Sequence, residues 1–110
     1  MNSNNVVVLI NTITPKQGKL EAVIAKQTSA MQRFAGKPKG WLGSRLHKSM
    51  TGETVVMTTI FDSIESHQQW MHNEEFKVHR DELVAMTDNI QVEYFSIAAE
   101  AGVFATRGVK

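Results

Sequence analysis

The segment Trp70-Met71-His72-Asn73-Glu74-Glu75-Phe76-Lys77-Val78-His79 sets a large aromatic ring and an imidazole on either side of a good helix-capping asparagine. A neutral imidazole takes up protons or ligates metals, and an indole packs against flat apolar ligands. On one straight α-helix, nine residues at about 100° each would put Trp70 and His79 on opposite faces. They share a pocket only if the helix stops and restarts between them. Asn73 suits an N-cap, and Glu74 and Glu75 suit a first helical turn. If the two side chains converge, the chain has a site. If they do not, Trp70 is core and His79 is surface.

Few other residues could join such a site. Asn11 is an amide inside a β-branched run, an unusual placement. Arg45 and His47 fall at strand spacing and point the same way, either inward or to solvent. His67 and Arg80 flank the central segment. The four histidines give no close i, i+4 pair with a third ligand, so no zinc site is expected. With no cysteine there is no thiolate site, thiol nucleophile or disulfide framework. A net charge of +1 with scattered Lys and Arg gives no reason to propose nucleic acid.

The elements that must position these groups follow from pattern. Val6 to Ile13 is β-branched and apolar, a first strand. Thr14-Pro15-Lys16-Gln17 reads as a helix start, with Thr14 as N-cap, Pro15 in the first helical position and Gln17 completing a capping box. Leu20, Val23, Ile24, Met31, Phe34 and Ala35 share one helical face, diluted by Gln27 and Thr28. Strands are expected at 41–49 and 54–61, joined as a hairpin through Thr51-Gly52-Glu53. Asp62 and Ser63 open a helical region that runs to about His72, breaks, and resumes from Glu74 to about Thr87. A fourth strand covers 89–98, and 99–110 form a tail carrying Val103 and Phe104.

This order predicts an α+β fold of ferredoxin-like βαββαβ type, a four-stranded antiparallel sheet with both helices on one face. The 110 residues fit one domain, 1–110, with its core at about 6–98. Met1–Asn5 has no basic leader, and Val6 to Ile10 is far shorter than the ~18 residues that span a bilayer. No membrane partner is expected, and cytoplasm is the default compartment. Strands one and three are apolar on both sides. A sheet with two apolar faces and helices for one needs a second cover, and a homodimer packed sheet to sheet supplies it, with Val103 and Phe104 as a latch.

The segment order, the Val8-Leu9-Ile10-Asn11-Thr12-Ile13 strand, Gly40-Trp41-Leu42-Gly43 ahead of the second strand, and Ile60-Phe61-Asp62-Ser63 before a broken helix resemble the antibiotic biosynthesis monooxygenase superfamily. Its members are dimeric α+β barrels. The resemblance implies a monooxygenase that uses O2 on a flat aromatic ligand, a quinol or polyketide, without bound flavin or metal. The anthrone-oxidising members carry asparagine and tryptophan on strand three, where this chain has Met57 and Phe61. The haem-degrading branch offers an alternative, with Asn11, Trp70 and His79 matching its asparagine, tryptophan and iron-ligating histidine. Haem would then be both substrate and cofactor. The resemblance thus nominates Asn11, Trp70 and His79 as catalytic, with Phe61, His67, Arg45, His47, Arg80 and Met57 as substrate contacts. A non-catalytic dimeric barrel that binds a small ligand is the remaining reading.

Overall fold

The structure, a computed structural model, describes residues 6–108. Met1–Asn5, expected to carry no leader, and the last two residues of the tail lie outside the described residues. The chain forms β1 (Val7–Pro15), α1 (Leu20–Phe34), β2 (Trp41–Lys48), β3 (Val55–Phe61), α2 (Ile64–Trp70), α3 (Glu74–Ala85) and β4 (Thr87–Phe95). A short 3-10 helix, Gly102–Gly108, follows in the tail. The sheet order is β2-β3-β1-β4, antiparallel throughout, the ferredoxin-like arrangement expected. Among the described residues no helix is long and apolar enough to cross a membrane.

Strand alternation decides what each face carries. Leu9 and Ile13 of β1 and Val55, Thr59 and Phe61 of β3 are buried on the side of the helices. At one end of that side, Ile13, Val23, Val55 and Leu83 close into a core, with Leu20, Leu46, Met86 and Ile90 packed around them. Burial of each such aliphatic side chain contributes about 1.5–3 kcal/mol. The other face carries Val8, Ile10, Val56 and Ile60, only partly buried, beside the exposed Phe95. Both faces are apolar, as the sequence implied.

Several boundaries differ from expectation. The Thr14–Gln17 capping box does not form: β1 continues to Pro15, Thr14 pairs with Asn89, and α1 starts at Leu20 behind an N-cap, Lys19, with no side-chain cap bond. Proline at the last strand residue, beside a register shift, costs no interior ladder bond. The ladder with β4 therefore outcompetes the local helix signal. β4 itself runs from Thr87 to Phe95 rather than 89–98, because α3 ends at Ala85 and Pro15 recruits Thr87.

Gly40 fixes how β2 meets α2. Its φ is +83°, and a Cβ there would collide with Asp62 Oδ1 and Ser66 Oγ. The Asp62 N–H donates to the Gly40 carbonyl at 2.8 Å. Ser66 Oγ donates to Asp62 Oδ1 at 2.6 Å, and the Ser66 N–H donates to Ser63 Oγ, the α2 N-cap. The start of α2 is thereby pinned to the end of β3.

Candidate active site

The helix break falls where the sequence put it. α2 ends at Trp70, and α3 begins at Glu74 with Asn73 as its N-cap, Oδ1 accepting from the Phe76 N–H at 2.9 Å. Between them the Asn73 N–H donates to the Trp70 carbonyl at 2.9 Å. The two short helices so joined send Trp70 and His79 into one cavity of about 340 Å³ between helices and sheet. Phe34 of α1 organises that wall. Its ring lies 5.2 Å from Trp70 and 6.2 Å from His79, both edge-on, and Phe76 stands 5.6 Å from Trp70. Edge-on aromatic pairs add about 0.5–1.5 kcal/mol each beyond their area.

His79 is buried, and its Nε2 lies 2.8 Å from Gln27 Oε1, so the neutral ring donates Nε2–H to the amide. Burial first, then the nearby cations of Lys26 and Arg33, push its pKa from 6.5 down to about 4. Gln27, itself buried, is thus a deliberate polar partner on the apolar face of α1. His67 of α2 is the second buried imidazole. Its Nδ1 lies 2.8 Å from Tyr94 Oη, its ring meets Phe61 edge-on at 5.3 Å, and burial lowers its pKa. Both imidazoles are therefore neutral at pH 7.

The sheet supplies the floor. Asn11 projects to the cavity side, and its Oδ1 is buried without a hydrogen-bond partner. In β2 the register slips between Trp41 and Gly43, which is the signature of a bulge. The slip sets Trp41 and Ser44, three residues apart, on the cavity side together. Trp41 Nε1 donates to Ser44 Oγ at 2.9 Å, and Ser44 Oγ donates to Thr59 Oγ1 at 3.3 Å.

Of the residues nominated from sequence, Asn11, Trp70, His79, Phe61, His67, Met57 and Arg80 all line this cavity. Arg45 and His47 do not, and that expectation is corrected. Downstream of the bulge they pair with Thr58 and Val56, on the opposite face of the sheet, where both are exposed. Sequence reasoning missed Gln27, Phe34, Ser44, Thr59 and Tyr94. Gly43 inside a strand was the available sign of the bulge that turns Ser44 inward.

Among the described residues no group of three His, Asp or Glu could hold a metal ion. Haem ligation by His79 through Nε2 would have to break its bond to Gln27. Nε2, the nitrogen at the tip of the ring, is engaged by Gln27, and iron binding there would strand the buried Gln27 oxygen.

The comparisons agree with this architecture. The family described as antibiotic biosynthesis monooxygenase matches residues 6–82. No curated protein matches the chain in sequence. Its fold is similar to that of a conserved protein from Methanosarcina mazei Go1, at 14% identity over 86% of this chain and 94% of the other, with a TM-score of 0.77. A Pseudomonas aeruginosa protein matches at 18% identity over 90% and 100% of the two chains, TM-score 0.77. A mutant of SnoaB, a cofactor-independent oxygenase from Streptomyces nogalater, matches at 17% identity over 87% and 96%, TM-score 0.72. At these identities the likeness to the solved structures is one of fold. The family match, spanning most of the chain, carries the assignment: this protein belongs to the antibiotic biosynthesis monooxygenase family.

Proposed function

We propose that this protein is an oxygenase that uses O2 on a flat, hydroxylated aromatic substrate, a quinol or polyketide-like ring system, without a bound flavin or metal. One observation carries the reading: an apolar, aromatic-walled cavity whose polar groups include two neutral imidazoles and an unpartnered amide oxygen. Such a substrate is activated by losing a proton, because the anion gives electrons to O2 far more readily than the phenol does. In the tautomer whose Nδ1–H donates to Tyr94 Oη, the His67 Nε2 lone pair is free to take the substrate's proton, and the imidazolium so formed would stabilise the anion. His79 is a weaker base, held by Gln27, and serves the wall with Trp70 and Phe34 that grips the ring plane. For a ring methylene the balance closes without a reductant: CH2 plus O2 gives C=O plus water, the substrate supplying all four electrons. One relative of the same fold is described as a cofactor-independent oxygenase, which supports the reading.

The test is oxygen uptake by flavin-free, chelator-treated protein over a panel of naphthols, naphthoquinols and anthrones. Uptake above the uncatalysed rate is expected, and His67→Phe should lower it by about 10²-fold or more. Uptake no faster than the blank with every compound would leave a small-ligand-binding barrel. Haemin titration separates the haem reading: no Soret shift is expected, and a shift abolished by His79→Ala would restore that chemistry.

The uncovered sheet face supports a second proposal, a homodimer packed sheet to sheet over Val8, Ile10, Val56 and Ile60. Light scattering should give twice the chain mass, and Ile60→Lys should reduce it to the monomer.

A further inference from the structure

The hydroxyl chain on the cavity floor runs from Trp41 through Ser44 to Thr59. An indole N–H can only donate, so Trp41 occupies one of the two lone pairs of Ser44 Oγ and leaves the serine proton free to point onward. Thr59 Oγ1 receives that proton. Its own hydroxyl proton is then left for a further acceptor. Thr59 is buried and lines the cavity, so the chain ends in a donor there.

An acceptor of opposite need stands close by. β1 and β3 pair Leu9 with Thr59 and Asn11 with Met57, which makes Asn11 and Thr59 diagonal neighbours on the cavity side. Diagonal positions lie roughly 7–8 Å apart at the backbone, less between side-chain tips. Side chains on such neighbours can share one bridging oxygen, each tip at hydrogen-bond distance from it. Asn11 Oδ1 is buried and has no partner, so turning the amide toward the cavity breaks no hydrogen bond at that oxygen, and a ligand hydroxyl there would satisfy it.

We infer that Asn11 and Thr59 form an anchor for one aromatic hydroxyl of the ligand, which donates to Asn11 Oδ1 and accepts from Thr59 Oγ–H, with Ser44 and Trp41 as positioning residues. This rests on the proposed reading for the ligand's flat aromatic body, and it adds where the hydroxyl sits and what selects it. A ring lacking the hydroxyl leaves both groups buried and unpaired.

The experiment is calorimetric titration of the full chain with 1-naphthol and with naphthalene. An apolar cavity without the anchor favours naphthalene, the more hydrophobic of the two. The anchor predicts that 1-naphthol binds about tenfold tighter. Thr59→Val, which keeps the β-branched shape, and Asn11→Leu should each bring the ratio to parity or invert it, whereas Thr59→Ser should keep it. Ser44→Ala, at a half-buried site on the edge strand β2, should lower the ratio by about two- to threefold and stands in if Thr59→Val fails to fold. Equal affinities in the native chain, a ratio that survives Thr59→Val or, in its place, Ser44→Ala, or no binding of either compound overturns the anchor. Oxygen uptake is read separately. Preference for the hydroxyl without uptake leaves the anchor standing and removes the oxygenase; uptake without preference does the reverse.

Discussion

Two ends of one helix–sheet layer have been built to opposite specifications. At one end Ile13, Val23 and Val55 are wholly buried and Leu83 nearly so, with no polar side chain among them. At the other, Asn11, Thr59, Gln27, His67 and His79 occupy positions of the same kind, and a cavity of about 340 Å³ stays open among them. The strands are shared: Asn11 lies two residues before Ile13, and Thr59 four after Val55. The helices are shared too, except that α2 and α3 are separate pieces. A continuous helix would pack along the whole sheet. The break at Asn73 lets α3 reach the packed end through Leu83 while its first turns, together with α2 held to β3 through Ser63, Asp62 and Ser66, wall the cavity. Apolar packing is thus concentrated at one end, and the buried polar groups are placed where the packing is incomplete.

The comparison breaks first if the packed end proves dispensable. Ile13→Ala, at a residue with no exposure, should cost about 2–5 kcal/mol in urea unfolding. Met57→Ala, on the same face but bordering the cavity, should cost less than about 2 kcal/mol, because its side chain already lacks neighbours on one side. Equal costs would mean that the cavity end is as closely packed as the core.

These two ends were not equally legible in the sequence. Strand alternation and helical spacing point to Val23, Val55 and Ile13 as core, because apolar burial leaves a periodic trace. Asn73 and the two glutamates after it mark the break, since caps are local chemistry. Gln27 reads as a dilution of an apolar face; its meaning depends on His79, 52 positions away. Ser44 reads as solvent-facing or inward only once the slip at Gly43 is known, and the same slip carries Arg45 and His47 to the far face. Thr14-Pro15 carries a sound helix-start signal that loses to pairing with Asn89 and Thr87. What escaped were side-chain partnerships such as Gln27 with His79 and His67 with Tyr94, which join residues distant in sequence.

A pH titration of stability should sharpen the contrast next. Both imidazoles are held neutral in the native state, His79 with its pKa near 4 against 6.5 when free. Between those values the unfolded chain binds a proton that the native chain does not. Stability is therefore full above about pH 6.5 and falls as pH drops toward 4, by about 3 kcal/mol for His79, with His67 adding in the same direction. Glu82, whose pKa the Lys26 ammonium lowers, acts below its ordinary value of 4.5, at the foot of this window. Ile13→Val should shift the whole curve down without changing its slope. His79→Leu should flatten it, and a slope unchanged in that variant would mean that the ring titrates in the fold as it does in the unfolded chain.

The buried His79–Gln27 pair predicts a smaller, non-additive effect. His79→Leu or Gln27→Leu alone leaves one polar group buried without a partner, at about 1–3 kcal/mol. The double variant replaces both by apolar groups and should cost less than the sum, possessing no stranded donor or acceptor. Urea unfolding of the four proteins closes the cycle, and strict additivity would show that the 2.8 Å contact carries no coupling.

The smallest effect should be the most local. Asn73→Ala removes the cap on the Phe76 N–H and should cost about 1 kcal/mol, whereas Asn73→Gly should cost only a few tenths. The difference matters because the cap holds Phe76, and Phe76 joins Trp70 to His79 across the break. Fraying of that first turn should speed hydrogen exchange of the Phe76 and Lys77 amides. It should leave the amides of Val23 and Val55 at their native rates, since the packed end does not depend on where α3 begins. A matching acceleration at Val23 would mean that the two ends unfold as one unit, and the division between a stabilising end and a binding end would then describe composition alone, without a difference in local stability.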